Sequence, residues 1–447
     1  MYKIQTDASL GFRGTLARWA CFGARWASRT LGRGNGGMIG GLVALKVDPN
    51  IMAKLAGQRM SMIVTGTNGK STTTRMAANA LRTAYTVATN DGGDNMDAGI
   101  VSALNQDLDA DAICLEVDEM HVPHVMDALS PTVLVLLNLS RDQLDRVGEI
   151  NTIERRLREA VAAHPDTIVV ANCDDMMVTS AAYDAKNVIW VSTGGGWAND
   201  ATTSPRNNAA IMHSDGDWWA VEPLADGREF RRPTPDWWVD DTTLHGPDGL
   251  NLPLHLRVPG RANRGNAAQA VAAAVAMQIN PTAAVEAAES VNDVAGRYTT
   301  ITLDNREIHL LLAKNPAGWQ EALNMLFRTA VSLVIADMWQ EGDGFDLSWL
   351  WDVRFENFSD TNVFCAGERG TDLSVRLTYA GVEHQLVHDP LQAIRQCPPG
   401  RVEVLANYTA FRDLFRDLRR LTGAGAGTAD DPTFRPHKER PHKEDMQ

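Results

Sequence analysis

The sequence predicts an α/β protein that has a parallel-sheet central domain, a small β-rich insertion and a second, C-terminal α/β domain. Three observations support this fold class. Short apolar runs alternate with helical patterns between residues 60 and 170, this alternation breaks between residues 193 and 253, and it resumes between residues 300 and 421. Strands that alternate with helices form parallel sheets covered on both faces. We therefore expect two such sheets, separated along the chain by the insertion.

The N-terminal residues 1–59 are predicted to form a basic helical segment that packs on the central domain. No acidic residue occurs between Ala8 and Val47, whereas six arginines and lysines gather there beside Trp19, Phe22 and Trp26. A helix packed on its own domain is favoured over the alternative, a basic amphipathic helix resting near anionic lipid. Over the whole chain the net charge is −14 with a pI near 5.2, which argues against a nucleic-acid binder.

The central domain is assigned to residues 60–298. Its predicted strands and helices follow the apolar periodicity. The strands are Met60–Val64, Ala112–Val117, Val133–Leu137 and Thr167–Val170, and the helices are Thr72–Thr83, Ile153–Ala163 and Ala267–Met277. Within this domain, residues 193–253 are rich in Trp, Asp, Pro and Gly and contain no cysteine, which predicts a β-rich insertion.

The C-terminal α/β domain, of the Rossmann-like kind, is assigned to residues 299–422. Its predicted strands are Ile308–Leu312, Ser332–Ile335, Asn362–Phe364 and Val402–Leu405. Residues 423–447 have the glycine, charge and proline content of a disordered tail. No apolar run is long enough to span a bilayer and the N-terminus lacks the apolar core of a signal peptide, so we expect a cytoplasmic protein that is not an integral membrane protein.

A glycine-rich turn between the first central strand and its helix predicts a triphosphate-binding loop. The segment reads Gly66-Thr67-Asn68-Gly69-Lys70-Ser71-Thr72. Backbone N–H groups at the start of a helix hold phosphate oxygens. Lys70 would reach the β- and γ-phosphates of ATP, and the Ser71 hydroxyl would bind Mg²⁺. Only two residues separate the glycines, where the usual loop has four.

Further polar residues follow the predicted strands, where ligands bind in an open α/β sheet. Glu116 closes the second listed strand, a position suited to a Mg²⁺ carboxylate. Asp142 and Asp145 follow the next strand, and a cluster that includes Asp174 follows the one after. Each residue alone is more often a turn former or a helix cap.

Five separated motifs in this order resemble those of the Mur ligases, the ATP-dependent enzymes that join amino acids to peptidoglycan precursors. They are Gly66-Thr-Asn-Gly-Lys-Ser71, Glu116, Asp142-Gln-Leu-Asp145, Gly260-Arg-Ala-Asn-Arg-Gly-Asn266 and Gly296-Arg297. The resemblance implies a Mur-ligase-like fold in which Lys70 and Ser71 hold the ATP phosphates and metal and Glu116 serves Mg²⁺. It also implies that Asn263 and Asn266 line the nucleotide pocket and that Arg297 contacts ATP.

Two features depart from the ordinary family pattern. Gln143 stands where Mur ligases have a histidine that helps to hold a second metal, and an amide oxygen is only a weak Mg²⁺ ligand. In addition, the insertion has none of the four cysteines of the zinc ribbon that a related subgroup carries. We therefore predict no zinc, and tryptophan packing in its place.

Within the family the chain is most similar to synthetase subunits that amidate lipid II, the acceptor at the inner membrane face. The segments that carry this similarity include Lys314-Asn-Pro-Ala-Gly318 and Asp343-Gly-Phe-Asp-Leu-Ser-Trp-Leu-Trp-Asp352. The resemblance implies conversion of the D-glutamate α-carboxyl of the stem peptide to D-isoglutamine through an acyl phosphate. Ammonia would come from a GatD-like glutaminase subunit in a heterodimer. Asp352 and Asp346 are candidates to orient its histidine, and a helix cap beside buried tryptophans is the alternative for either residue.

Two other functions stay open at this point. One is a ligase of the Mur or folylpolyglutamate type that adds an amino acid, and the other is a P-loop regulatory subunit without chemistry of its own. The missing histidine at Gln143 and the Lys314-Asn-Pro segment count against the amino-acid-adding ligase.

Overall fold

The computed structural model describes residues 10–30, 37–90, 94–140, 149–194, 202–258, 260–291, 298–313, 315–326, 332–337, 348–356, 358 and 361–422. Three helices come first, α1 (Gly11–Thr30), α2 (Gly37–Val47) and α3 (Ile51–Ala56). Helix α2 crosses α5 (Asp97–Gln106) at very close range, because a Cβ added to Gly41 would lie 1.7 Å from the Ala98 carbonyl oxygen. Glycine at this crossing is therefore a packing requirement.

The central sheet has nine strands among the described residues, in the order β11-β10-β9-β6-β5-β4-β1-β3-β2. Its first part alternates strictly between strands and helices. The elements are β1 (Met60–Thr65), α4 (Lys70–Leu81), β2 (Val87–Thr89), α5, β3 (Ala112–Glu116), α6 (Val122–Leu129), β4 (Val133–Leu136), α7 (Glu149–Ala163), β5 (Ile168–Asn172), α8 (Met176–Ala182) and β6 (Val188–Ser192). Strands β1 to β6 pair in parallel, and β1 lies between β3 and β4.

The segment between β6 and α9 (Arg261–Ala276) divides into two parts. Strands β7 (Ile211–Ser214) and β8 (Asp217–Ala220) form a separate hairpin, while β9 (Trp237–Val239), β10 (Thr243–His245) and β11 (Asn251–Pro253) extend the central sheet. The hairpin packs against the turn between β5 and α8, because Trp218 is buried next to Phe230 and its indole N–H donates to the Cys173 carbonyl oxygen at 3.0 Å.

After α9 and α10 (Pro281–Glu289), a second sheet of six strands among the described residues has the order β12-β13-β17-β14-β15-β16. Its elements are β12 (Tyr298–Leu303), β13 (Arg306–Leu312), α11 (Pro316–Leu326), β14 (Ser332–Ala336), β15 (Asn362–Ala366), α12 (Gly370–Tyr379), β16 (His384–Leu386), α13 (Pro390–Gln396), β17 (Gly400–Ala406) and α14 (Tyr408–Leu421). In this sheet β12 pairs antiparallel with β13, and the other neighbouring strands pair in parallel.

Apolar side chains cover both faces of each sheet. On β1, Ile63 belongs to the core on one face, and Met62 and Val64 belong to the core on the other. A strand buried on both faces reads as a continuous apolar run, which is the pattern that predicted it. The predicted α/β fold class is confirmed. The domain boundaries stay predictions, and the predicted tail lies outside the described residues.

No helix in the described part of the chain combines the length and the apolarity that crossing a bilayer would need.

Candidate nucleotide site

The turn between β1 and α4 can only be made with glycine at its two ends. Gly66 has φ of 140° and Gly69 has φ of 86°. A Cβ at Gly66 would lie 2.8 Å from the Leu137 Cβ, and one at Gly69 would lie 2.6 Å from the Asn266 Oδ1. The two glycines therefore let the turn approach the segment after β4 and the side of α9 closely.

Residues after β4 hold the turn in place. The N–H of Thr67 donates to the Asn138 carbonyl oxygen at 2.9 Å, and the N–H of Asn68 donates to the Asn138 Oδ1 at 2.8 Å. In return, the Asn138 side-chain amide donates to the Asn68 carbonyl oxygen at 2.9 Å. The Thr67 hydroxyl and the backbone of Ser140 exchange two more hydrogen bonds. The turn is thus fixed before any ligand contacts it.

The first turn of α4 supplies the phosphate-binding donors. The first intrahelical bond runs from the Thr73 N–H to the Gly69 carbonyl oxygen at 2.9 Å. The N–H groups of Lys70, Ser71 and Thr72 precede it and, like those at any helix start, have no intrahelical acceptor. They lie at the positive end of the helix dipole, where anions bind.

Lys70 lies over this turn and forms a buried ion pair. Its ammonium donates to the Gly66 carbonyl oxygen at 2.6 Å and to the Glu119 Oε2 at 3.1 Å, and both side chains are about one-tenth exposed. Burying two opposite charges usually adds little net stability, because the loss of hydration offsets their attraction. We therefore interpret the Lys70–Glu119 pair as part of a binding site and not as a contact that stabilises the fold. Sequence analysis did not single out Glu119, although it lies three residues after Glu116 in the same strand-end segment.

Glu116 lies at the same edge of the sheet. It ends β3, pairs in register with Val64 of β1, and is 5% exposed. Its Oε1 accepts a hydrogen bond from the Asn95 side-chain amide at 3.1 Å, while its backbone is held by Asn90 on both sides. A carboxylate held at the start of the turn is suited to a hard cation, which prefers oxygen ligands.

The donors around the turn fit a phosphate ligand. The N–H groups of Lys70, Ser71 and Thr72 lie at the start of α4, and the Lys70 ammonium lies over the turn. The Thr65 hydroxyl, directly before Gly66, is buried without a hydrogen-bond partner among the described residues, as are those of Thr73 and Thr74 further along α4. The glycine cradle, the N–H groups and Lys70 therefore fit a triphosphate with its metal.

Helix α9 contributes the two predicted asparagines. Asn266 lies against Gly69, and its amide donates to the Asn263 Oδ1 at 3.3 Å. The preceding turn of α9 borders a cavity of about 270 Å³ lined by Val239, Asp240, Asp241, Arg261 and Arg264. The structure thus brings Asn266 and the loop residues together, and Asn263 adjoins them.

The C-terminal domain also contacts the turn. The side chains of Asn68 and Asn315 exchange hydrogen bonds at 3.3 Å, and the Asn315 Oδ1 accepts from the Gly318 N–H at 2.8 Å. This places the segment that begins α11 directly over the loop. The contact joins residues 247 positions apart, and no local sequence signal could have indicated it.

Asp352 is placed elsewhere, after the short 3-10 helix Ser348–Trp351. It is half-buried, and its N–H donates to the Trp349 carbonyl oxygen at 3.0 Å. Trp349 packs inward against Trp319, whereas Trp351 is 53% exposed and contacts the exposed Tyr379. The exposed aromatic pair beside Asp352 is therefore Trp351 with Tyr379.

Five predicted residues lie outside the described residues, namely Asp142, Gln143, Asp145, Arg297 and Asp346. Asp174 has structural contacts, since it accepts from the N–H groups of Thr193 and Gly194 and pairs with Arg232. Its more ordinary interpretation, a turn former, accounts for these bonds.

Comparison with known proteins adds two family matches. Residues 64–274 match the family described as Mur ligase middle domain, and residues 312–411 match the family described as MurT ligase C-terminal. Together these matches include the glycine turn, Glu116, Glu119, most of α9 and the segment that contains Asp352.

Two curated relatives are similar over most of the chain. The lipid II isoglutaminyl synthase (glutamine-hydrolyzing) subunit MurT of Streptococcus pneumoniae is 27% identical, over 86% of this chain and 92% of that protein. The subunit of the same name from Staphylococcus aureus is 26% identical, over 90% of this chain and 97% of that protein. Among solved structures, a pseudomurein peptide ligase type C from Methanothermus fervidus has a TM-score of 0.66 and 18% identity, covering 83% of this chain and 80% of its own.

Proposed function

We propose that this chain, which belongs to the Mur ligase family, is the synthetase subunit of a lipid II isoglutaminyl synthase. It uses ATP to amidate the α-carboxyl of D-glutamate in the lipid II stem peptide, giving D-isoglutamine. The observation that carries this proposal is the buried Lys70–Glu119 pair over the Gly66–Gly69 turn, in a chain similar along most of its length to two MurT subunits.

The loop residues would hold the triphosphate through the N–H groups at the start of α4 and the ammonium of Lys70. Ser71 and Glu116 would hold Mg²⁺, which when bound neutralises charge on the phosphates. Gln143 is the weaker candidate for a second metal. Asn263, Asn266 and Arg297 would complete the nucleotide site.

The reaction has two steps. First, an oxygen of the substrate carboxylate attacks the γ-phosphorus of ATP, the bond to the β-phosphate oxygen breaks, and ADP leaves. Then the lone pair of ammonia attacks the acyl carbon, inorganic phosphate leaves with the former carboxylate oxygen, and the nitrogen loses a proton. The main contribution of Lys70 is electrostatic, because negative charge develops on the transferring phosphoryl oxygens beside its ammonium.

Hydrolysis of glutamine to ammonia is assigned to another protein, because the cysteines of this chain are poor nucleophiles. All five cysteines are buried, and burial raises the pKa of Cys365 to about 12 and the pKa of Cys173 still further. A thiol with so high a pKa stays protonated at neutral pH and is a poor nucleophile. We therefore assign the glutaminase step to a GatD-like partner subunit in a heterodimer.

Two aspartates are candidates for the acid that completes the partner's catalytic triad. Asp352 lies among the described residues, and Asp346 is the second candidate. Asp352 lies beside the exposed pair Trp351 and Tyr379, and aromatic side chains of this kind commonly anchor interfaces. Its carboxylate would hold the imidazole of the partner in its working tautomer.

Asp352→Asn is predicted to cut glutamine-dependent amidation by up to about 10⁴-fold while sparing amidation driven by high added ammonia. An amide cannot fix the imidazole tautomer, whereas the ATP site does not use Asp352. Both rates are measured on the purified complex, and Asp346→Asn is tested in parallel. Equal loss with both nitrogen donors would assign Asp352 to the synthetase site or to the fold instead.

Product analysis separates this function from its alternatives. The complex is incubated with lipid II, ATP and either glutamine or an ammonium salt, and the products are identified by mass spectrometry. Amidated acceptor with one phosphate released per turnover supports the proposal. An acceptor extended by an amino acid would identify an adding ligase, and ATP binding without turnover would identify a regulatory subunit.

A further inference from the structure

Helix α1 carries a stripe of large apolar side chains that point away from the protein. The exposed fractions are 87% for Phe12, 51% for Leu16, 69% for Trp19, 38% for Phe22 and 70% for Trp26. Their spacing of three or four residues places all five on one side of the helix. From Phe12 to Trp26 the stripe runs about 21 Å at 1.5 Å per residue. We call these five residues the α1 stripe.

The opposite side of α1 is fixed to the protein. Gly14, Ala17, Cys21 and Ser28 are buried, and α1 packs on α2, which in turn packs on α5. The two interpretations of this helix are therefore compatible: it packs on its own domain with one side and offers the α1 stripe with the other. An exposed apolar patch of this kind usually marks an interaction surface.

The charge around the stripe selects the partner. Residues 8–47 carry six lysines and arginines and no acid, although the whole chain has a net charge of −14. On α1, Arg13 donates to the Val47 carbonyl oxygen and lies near the Asp48 carboxylate, which is paired with Lys54, while Arg18 lies 5.8 Å from the Phe22 ring. A locally basic face on an acidic protein complements an anionic surface.

We propose that the α1 stripe docks this chain on an anionic lipid bilayer, with α1 lying in the plane of the membrane surface. Tryptophan and phenylalanine enter the boundary between headgroups and acyl chains, while arginines beside them meet lipid phosphates. A straight stripe on a single helix fits a flat surface. The docking proposal is argued from α1 and its surroundings alone. It rests on the proposed function only for its purpose, since the acceptor in that function is a membrane lipid.

The test is flotation of the full-length chain with vesicles, without ATP or acceptor. We expect binding to vesicles of phosphatidylcholine with about one-third phosphatidylglycerol, weak binding to phosphatidylcholine alone, and loss of binding as salt rises. Trp19→Ser combined with Trp26→Ser should lower the vesicle-bound fraction by about tenfold or more, because two interfacial anchors are removed.

Two controls keep the result specific. Trp238→Ser removes an exposed tryptophan that stacks on His245 in the central domain and should leave vesicle binding unchanged. Lys70→Ala, which changes the proposed ATP site, should also bind vesicles normally. Vesicle binding and amidation are thus measured independently, so failure of the proposed function and failure of this inference can be told apart. Thermal melting checks that the double variant is folded, as the exposure of Trp19 and Trp26 predicts.

Three results would overturn the proposal. They are no flotation of the wild-type chain, equal flotation of the double variant, and equal binding to vesicles with and without phosphatidylglycerol. If the double variant instead fails to form the complex with its glutaminase partner while still floating with vesicles, the α1 stripe is a protein interface.

Discussion

At the carboxyl ends of their strands, the central sheet and the C-terminal sheet use polar residues differently. The central edge carries Lys70, Glu116 and Glu119, and each of these charges has an amide, ammonium or carboxylate partner. At the C-terminal edge, Asp337 follows β14 and is fully buried, and its Oδ1 accepts a hydrogen bond from the Asn407 side chain. The Asp337 Oδ2 has no partner within the described part of the chain.

The same topology therefore supports two different electrostatic solutions. At the central edge the Lys70 ammonium and the start of α4 favour negative charge, so a triphosphate can replace the contacts that Lys70 makes with Gly66 and Glu119. At the C-terminal edge burial raises the pKa of Asp337 to about 7, although Arg369 acts to lower it and Asp372 adds to the rise. A parallel sheet provides the position, and the residues after each strand determine which ligand that position can hold.

Lys70→Ala should produce the largest effect, because it removes the charge that the central edge supplies. We expect ATP-dependent amidation to fall by at least about 10²–10³-fold. The turn keeps its glycines and its Asn138 contacts, but stability should also fall because the buried Glu119 carboxylate loses its ammonium partner. Initial rates of phosphate release measure it, and the exposed Lys186→Ala is the matched control. Wild-type turnover in Lys70→Ala would remove the ATP site from the proposed mechanism.

Gly69→Ala should have the next largest effect. The residue has φ of 86°, and a Cβ would lie 2.6 Å from the Asn266 Oδ1, so both backbone strain and a clash arise. We expect a stability loss of about 1–2 kcal/mol and a weaker ATP affinity. Denaturant unfolding and calorimetric ATP titration measure the two.

The chain offers a matched control for this change. Gly216 has φ of 81° in the β7–β8 hairpin, with nothing within 4 Å of an added Cβ. Gly216→Ala should therefore show the backbone strain without the loss of ATP affinity. Equal ATP affinity in both variants would mean that the Gly69–Asn266 approach does not shape the nucleotide site.

Much of this fold could be predicted from the sequence because its strands are buried on both faces. The apolar runs at β1, β3, β4 and β17 gave their positions to within two residues. The short strands β9 to β11 lack such runs, so the pattern indicated a β-rich insertion and not that these strands join the central sheet. Their placement depends on pairing with β6, which is a long-range contact.

The site was predicted in part for a similar physical reason. Lys70 and Glu116 lie in local patterns, a glycine turn and the end of a strand, and such patterns are visible in sequence. Glu119 and Asn315 act through contacts with Lys70 and Asn68 that form only when distant segments meet. A carboxylate or an amide in a loop has many possible partners, and sequence alone does not rank them.

Asp337→Asn tests the other edge of the comparison through pH. A raised native pKa means that the folded state holds the proton more tightly, so this stabilising contribution is present below about pH 4 and is lost as pH rises toward 7. Asparagine can still accept from Asn407 but carries no charge. We expect the variant to be more stable than wild type at pH 8 by about 1–3 kcal/mol.

Urea unfolding at several pH values measures this difference. The gap between the variant and wild type should shrink as the pH is lowered from 7 to 4, because the wild-type carboxyl becomes protonated. Parallel stability curves over that range would mean that Asp337 is ionised at little cost in the folded protein, through a contact with solvent or with a neighbouring cation.

The smallest effect is expected from zinc removal, because we predict that the hairpin region is stabilised by packing and not by a metal. Trp218 is buried, contacts Phe230 at a ring distance of 5.1 Å and donates to the Cys173 carbonyl oxygen. Dialysis against a chelator should leave the melting temperature unchanged, and elemental analysis should find no stoichiometric zinc. Trp218→Phe keeps most of the packing but loses the hydrogen bond, and it should lower stability by about 1–2 kcal/mol. One zinc per chain together with a chelator-induced fall in melting temperature would contradict this, and would show that residues outside a cysteine ribbon hold the metal.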